Sequence, residues 1–186
     1  MSKIRCFLAI EIDPNLKISI NNIVNEFKKT NANIKYVVPE NMHLTLKFFG
    51  NVSEDMLPKL ENVINNVLKN FTEFKLKIEG LGTFPNSNNI KVIWVGIDDN
   101  SDLKLLKEKL DVEFTKLGFK KERDYKSHLT IGRMKNSKNK KAVQNTLKEN
   151  NEVFIGELLV NKIFLKKSTL TPKGSIYEDI HIFSLN

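Results

Sequence analysis

One cysteine in 186 residues, Cys6, excludes an internal disulfide, and its place inside an apolar run makes it a packing residue with no chemical role. No stretch of about 18 apolar residues occurs, which argues against a membrane-crossing helix. The N-terminus runs straight into a strand-like segment without signal-peptide design, so a cytosolic protein with no membrane partner is expected. Linkers of disordered composition and low-complexity segments are missing too. Hydrophobic residues at 40% and charged residues at 28% are an ordinary globular balance. The length suits one compact domain with its own core or two small lobes sharing one, and residues 1–186 are expected to form a single domain.

Arginine is also scarce. Only Arg5, Arg123 and Arg133 occur among thirty basic residues, and the other 27 are lysines. The formal net charge of +8 favours polyanionic partners, nucleic acid first. The lysines, however, are spread along the whole chain in an Asn- and Ile-rich composition, so a merely solvated surface accounts for them equally well. Charge alone decides nothing.

Local patterns give an unbroken succession of elements. Strands are expected over residues 4–12, 34–38 and 42–48, and a helix over 14–29, capped by Asp13 with Pro14 at its first position. A second helix is expected over 53–69. Strands 74–81 and 90–97 follow, joined by a Gly-, Pro- and Asn-rich loop at 82–89. A third helix over 102–117 ends at Gly118. Strand 126–134 comes next, then a helix capped by Asn136-Ser137 and running to 148. Two long closing strands, 153–166 and 176–185, are expected on either side of a loop at 168–175.

Histidine occurs three times, and two of the three open the same word: His43-Leu44-Thr45-Leu46 and His128-Leu129-Thr130-Ile131. Side chains alternate faces along a strand, so each copy offers leucine to a core and a histidine with a threonine hydroxyl to the other face. One such string alone is usually a polar strand face. Two copies, in two halves of the chain, point to chemistry. The element order with one copy per half implies an α+β fold of two pseudo-symmetric lobes, each an antiparallel sheet with two helices, and an active-site cleft between them. Neither string has neighbouring ligands at metal-binding spacing, so no metal and no cofactor are expected.

Two imidazoles, one neutral and one protonated, supply the base and the acid for in-line cleavage of a phosphodiester. The hydroxyls of Thr45 and Thr130 are placed to donate to the non-bridging oxygens.

With those residues the chain resembles the two-histidine (2H) phosphoesterase superfamily, in particular its RNA 2′,3′-cyclic phosphodiesterase (tRNA 2′,5′-ligase) branch. The resemblance spans essentially the whole length. It rests on Arg5-Cys6-Phe7-Leu8-Ala9-Ile10, His43-Leu44-Thr45-Leu46-Lys47-Phe48-Phe49-Gly50, Val92-Ile93-Trp94-Val95-Gly96, Ser127-His128-Leu129-Thr130-Ile131-Gly132-Arg133, and a closing segment of Ser, Pro, Gly and Tyr at 165–177. Ser127 departs from the usual proline, which bears on the stiffness of the strand entry.

The resemblance implies hydrolysis of 2′,3′-cyclic phosphate RNA ends, tRNA fragments among the candidate partners, to 2′-phosphates. His43 is assigned as acid on O3′ and His128 as base on water, and pseudo-symmetry leaves the reverse assignment open. Reversible 2′,5′ ligation of tRNA halves needs the same atoms run backward. A non-catalytic RNA-binding module is the reading from another class, although no aromatic-rich RNA-recognition signature occurs. A monomer is the default.

Arg133 matches the family arginine, yet strict alternation puts it on the face opposite His128. Lys47 shares the face of His43 and is a candidate guide for the RNA backbone. Phe7, Phe48 and Phe49 are expected mostly in the core. Tyr177 has no assigned role, and His181 stands outside the pattern.

Overall fold

The structure, a computed structural model, describes residues 3–98, 101–122, 125–172 and 174–185. The elements are β1 (Lys3–Glu11), α1 (Pro14–Lys29), β2 (Ile34–Tyr36), β3 (His43–Ser53), α2 (Leu57–Leu68), β4 (Phe74–Asn86), β5 (Asn89–Ile97), α3 (Ser101–Lys116), β6 (His128–Met134), α4 (Lys140–Glu149), β7 (Phe154–Val160), β8 (Lys162–Thr171) and β9 (Gly174–Ser184). Arg123 lies outside the described residues.

α1 shows how sequence becomes an element. The Asp13 carboxylate accepts the Asn15 backbone N–H at 2.8 Å, which satisfies one of the helix's orphan donors, and Pro14 takes a position where no donor is needed. Leu16, Ile20, Ile23, Val24 and Phe27 then form its buried stripe. Lys28 and Lys29 close it where the helix dipole favours cations.

The strands form two antiparallel sheets, one in the order β3-β1-β8-β9 and the other β2-β6-β5-β4-β7. From Cys6 to Ile10, β1 is buried at every position, which explains why it reads as a continuous apolar run. Burial pushes the Cys6 thiol up to about 11, so it stays a protonated, inert packing group. α3 lies behind the four-stranded sheet, where Lys107 Nζ donates to the Leu46 carbonyl at 2.7 Å and Phe114 meets Phe49 edge-on at 4.9 Å. α1 lies behind the five-stranded sheet, close enough that a Cβ added at Gly156 of β7 would come within 2.6 Å of Leu16. No helix among the described residues is long and apolar enough to cross a membrane.

Several boundaries differ from the sequence reading. The hairpin loop expected over 82–89 shrinks to a tight turn, because β4 runs on to Asn86 and β5 starts at Asn89, with Asn86 Oδ1 accepting the backbone N–H groups of Asn88 and Asn89. The expected closing pair of strands is three, and the expected loop at 168–175 is mostly the β8–β9 hairpin. α4 starts at Lys140, after Asn139 in a left-handed conformation, rather than at 136–137. Each sheet also draws strands from both halves of the chain: β2 and β4 join the five-stranded sheet, and β8 and β9 return to the four-stranded one.

Candidate active site

His43 opens β3 in one sheet and His128 opens β6 in the other. Each imidazole is fixed in the same way, by a hydrogen bond to a carbonyl two residues earlier. His43 Nδ1 lies 2.8 Å from Asn41 O, and His128 Nδ1 lies 2.7 Å from Lys126 O. A carbonyl can only accept, so Nδ1 carries the hydrogen in both rings, and the lone pair of each neutral imidazole sits on Nε2. Leu44 and Leu129 are fully buried behind their strands.

Aromatic rings wall each histidine. Phe7 tilts against His43 at 4.8 Å between centroids, and Tyr177 meets it edge-on at 5.2 Å. Phe84 meets His128 edge-on at 4.9 Å, with Trp94 beyond at 6.2 Å. Desolvation by this packing is the main influence on both rings. It holds His43 down to about 4, against the opposing pull of its bond to Asn41; Lys166 adds to the depression and Glu11 offsets part of it. His128 is also held below the ordinary imidazole value, first by burial, with the Lys126 carbonyl opposing and the charges of Arg133 and Lys126 adding to the depression. Lys166 is itself buried and ion-paired with Glu11, at 2.5 Å, and with Asp179.

A cavity of about 620 Å³ lies between the sheets. It is lined by His43, Thr45 and Phe48 from β3, by His128, Thr130 and Arg133 from β6, by Lys35 and Lys135, and by Leu170, Thr171, Ser175 and Tyr177 of the β8–β9 hairpin. A larger one of about 770 Å³ lies between α2 and α3 and touches neither histidine. Among the described residues, no three His, Cys, Asp or Glu side chains are grouped to hold a metal ion.

Two matched irregularities decide which neighbours reach the cavity. The β1–β3 register skips Leu46: Ala9 faces Thr45, and Leu8 faces Lys47. The β5–β6 register skips Ile131: Trp94 faces Thr130, and Ile93 faces Gly132. Each extra residue sits directly after the threonine of its triplet and reverses the alternation beyond it. Arg133 is thereby returned to the face of His128 and Thr130, in place of the opposite face that strict alternation assigns. Phe48, at the equivalent place in β3, is 46% exposed toward the cavity, with the Arg5 guanidinium 5.6 Å from its ring centre. Phe7 and Phe49 are buried, as expected.

The same slip corrects the reading of Lys47. Its side chain turns away from the cavity toward α3, only 4% exposed, where Nζ bonds to Asp111 at 2.9 Å and to the Lys120 carbonyl at 2.6 Å. It is an internal ion-pair partner, out of reach of RNA. His181 is outside the cavity as well, its Nδ1 3.8 Å from Glu61 and its ring tilted against Phe183. The sequence reading missed Tyr125, whose hydroxyl donates to the Thr45 carbonyl at 2.8 Å and so ties the approach to β6 onto β3. It also missed the role of Tyr177 as a wall of the His43 pocket, which depends on the β8–β9 pairing.

The family model for LigT-like phosphoesterases matches the chain twice in succession, over residues 10–94 and 95–177, with one His-Leu-Thr string in each match. The chain belongs to the LigT-like phosphoesterase family. An RNA 2′,3′-cyclic phosphodiesterase of Methanocaldococcus jannaschii is 45% identical to this phosphoesterase over 176 residues, 95% of this chain and 98% of the relative. One from Methanothermobacter thermautotrophicus is 41% identical over 183 residues, 98% and 100% of the two chains. Among solved structures, TT0787 of Thermus thermophilus superposes with a TM-score of 0.83 at 24% identity over 97% of each chain. E. coli LigT complexed with 3′-AMP does so with 0.77 at 20% identity over 99% of each. These two share with the phosphoesterase its two-lobed fold.

Proposed function

We propose that this phosphoesterase hydrolyses 2′,3′-cyclic phosphate ends of RNA to 2′-phosphates, with His43 and His128 as the acid–base pair. The observation that carries the reading is the matched pair of imidazoles, one from each sheet, with both Nδ1 atoms engaged by carbonyls and both rings lining one cavity. The names of the two archaeal relatives support the choice of substrate.

In this mechanism water gives a proton to His128 Nε2 as its oxygen attacks phosphorus. The P–O3′ bond breaks in line, and His43 Nε2 protonates the departing O3′. Thr45, Thr130 and Arg133 hold the non-bridging oxygens, where charge accumulates. The anionic phosphate draws a proton onto the pair on binding. The pseudo-symmetric pair serves equally with the two roles exchanged. Proton exchange with solvent resets both rings. A monomer is taken as the working unit, and the cytosol is the expected compartment.

Replacement tests the pair. His43→Ala and His128→Ala should each lower kcat by a factor of about 10² to 10⁴ while the far-ultraviolet circular dichroism stays unchanged. Near-normal hydrolysis by either folded variant would remove the two-histidine mechanism. Retention of RNA binding with no turnover in the unmodified protein would favour a binding module instead.

A further inference from the structure

The cavity is electrically lopsided. Its only charged lining residues among those described are Lys35, Arg133 and Lys135, all at the β2–β6 edge, and no carboxylate lines it. The wall made by Leu170, Thr171 and Ser175 of the β8–β9 hairpin is uncharged. Lys35 and Arg133 stand directly opposite each other in the β2–β6 ladder, and the pairing continues through the Lys135 N–H, which donates to Asn33 O at 2.8 Å. Directly opposed residues of an antiparallel pair hold their Cβ atoms about 5 Å apart, and two like charges so placed repel. None of the three cations is ion-paired with a described residue. Among the described residues this is a cationic row with no carboxylate partner, starting at Arg133, beside the histidines, and continuing outward.

An RNA end supplies a matching second anion. The nucleotide that carries the cyclic phosphate on O2′ and O3′ carries another phosphate on O5′, where the chain continues. With Arg133 engaged on the cyclic phosphate, Lys135 stands two residues further on, just past the end of β6 and roughly 7 Å away, and Lys35 faces Arg133 across the ladder. We infer that Lys35 and Lys135 form a subsite for the 5′-phosphate of the terminal nucleotide, so that the RNA strand leaves the cleft over the β2–β6 edge. This rests on the reading that the cavity takes a 2′,3′-cyclic phosphate, and it makes 5′-phosphorylated or polymeric ends better substrates than a bare nucleoside cyclic phosphate.

The test compares kcat/KM for adenosine 2′,3′-cyclic phosphate with that for the same compound carrying a 5′-phosphate. The unmodified protein should prefer the 5′-phosphorylated compound by about tenfold or more, a preference that shrinks as salt is raised. In the double variant Lys35→Ala/Lys135→Ala the ratio of the two kcat/KM values should fall to near one. A ratio near one in the unmodified protein, or an unchanged preference in the variant, overturns the subsite. Calorimetric binding of adenosine 2′,5′-bisphosphate against adenosine 2′-phosphate separates the two failures. If neither cyclic phosphate is hydrolysed but the bisphosphate preference is present and lost in the variant, the subsite stands and the reaction is wrong. If that preference is missing or survives the variant, the subsite falls whatever the turnover.

Discussion

Acidification should destabilise this protein through His43 in particular. Free imidazole takes up its proton near 6.5, whereas the folded protein holds His43 neutral down to about 4, chiefly because Phe7 and Tyr177 pack its ring away from water. Between those values the unfolded chain binds a proton that the folded chain refuses. Stability from this source is therefore complete above pH 6.5 and is lost as pH falls toward 4. At 1.36 kcal/mol for each pH interval of one, the loss approaches about 3 kcal/mol, a large part of the 5 to 15 kcal/mol that typically holds a domain together. Denaturant unfolding at pH 7 and pH 4.5 should show a smaller acid loss in His43→Gln than in the unmodified protein. Proton NMR titration should place the His43 ring near 4. A His43 ring that titrates at 6.5 or above, or a His43→Gln protein that loses as much stability in acid as the unmodified one, would refute the desolvation argument.

Three further outcomes follow from the site. Because both histidines are depressed and the reaction needs one protonated, kcat/KM should peak below pH 6.5 and fall about tenfold per unit on the alkaline side; a plateau extending to pH 9 in the pH–rate profile would contradict it. Arg133→Lys should weaken inhibition by inorganic phosphate, since a lysine loses the two-pronged contact of a guanidinium, and unchanged inhibition would place Arg133 off the phosphate. Asp111→Ala leaves the Lys47 ammonium buried without its carboxylate and should cost about 3 to 5 kcal/mol in denaturant unfolding. The double variant Lys47→Met/Asp111→Leu should recover most of that loss with KM unchanged, and a raised KM would return Lys47 to the substrate.

The pairing of His43 and His128 on one cavity was legible because a repeated word is visible without any structure, and alternation correctly sends Leu44 and Leu129 inward. Alternation then failed one residue past each threonine, at Leu46 and Ile131, since nothing in either residue's chemistry announces an extra position in a strand. That single kind of error misplaced Lys47 and Arg133 in opposite senses. α1 and α2 were readable from their apolar spacing, whereas the β8–β9 hairpin was hidden because its Ser, Thr, Pro and Gly residues resemble loop composition. Residues placed by long-range contacts, Tyr125 and Tyr177 among them, carry no local signal at all. The exchange of β4 and of β8–β9 between sheets is equally silent, because it is decided by which surfaces are left to bury.

The central claim is tested most directly by product-resolved hydrolysis of an RNA fragment ending in a 2′,3′-cyclic phosphate, with a metal chelator present, comparing the unmodified protein with His128→Ala. The account predicts a 2′-phosphate product from the unmodified protein, undiminished by chelator, and its formation at least about a hundredfold slower in the variant. A 3′-phosphate product, activity abolished by chelator, or full turnover by His128→Ala would contradict it.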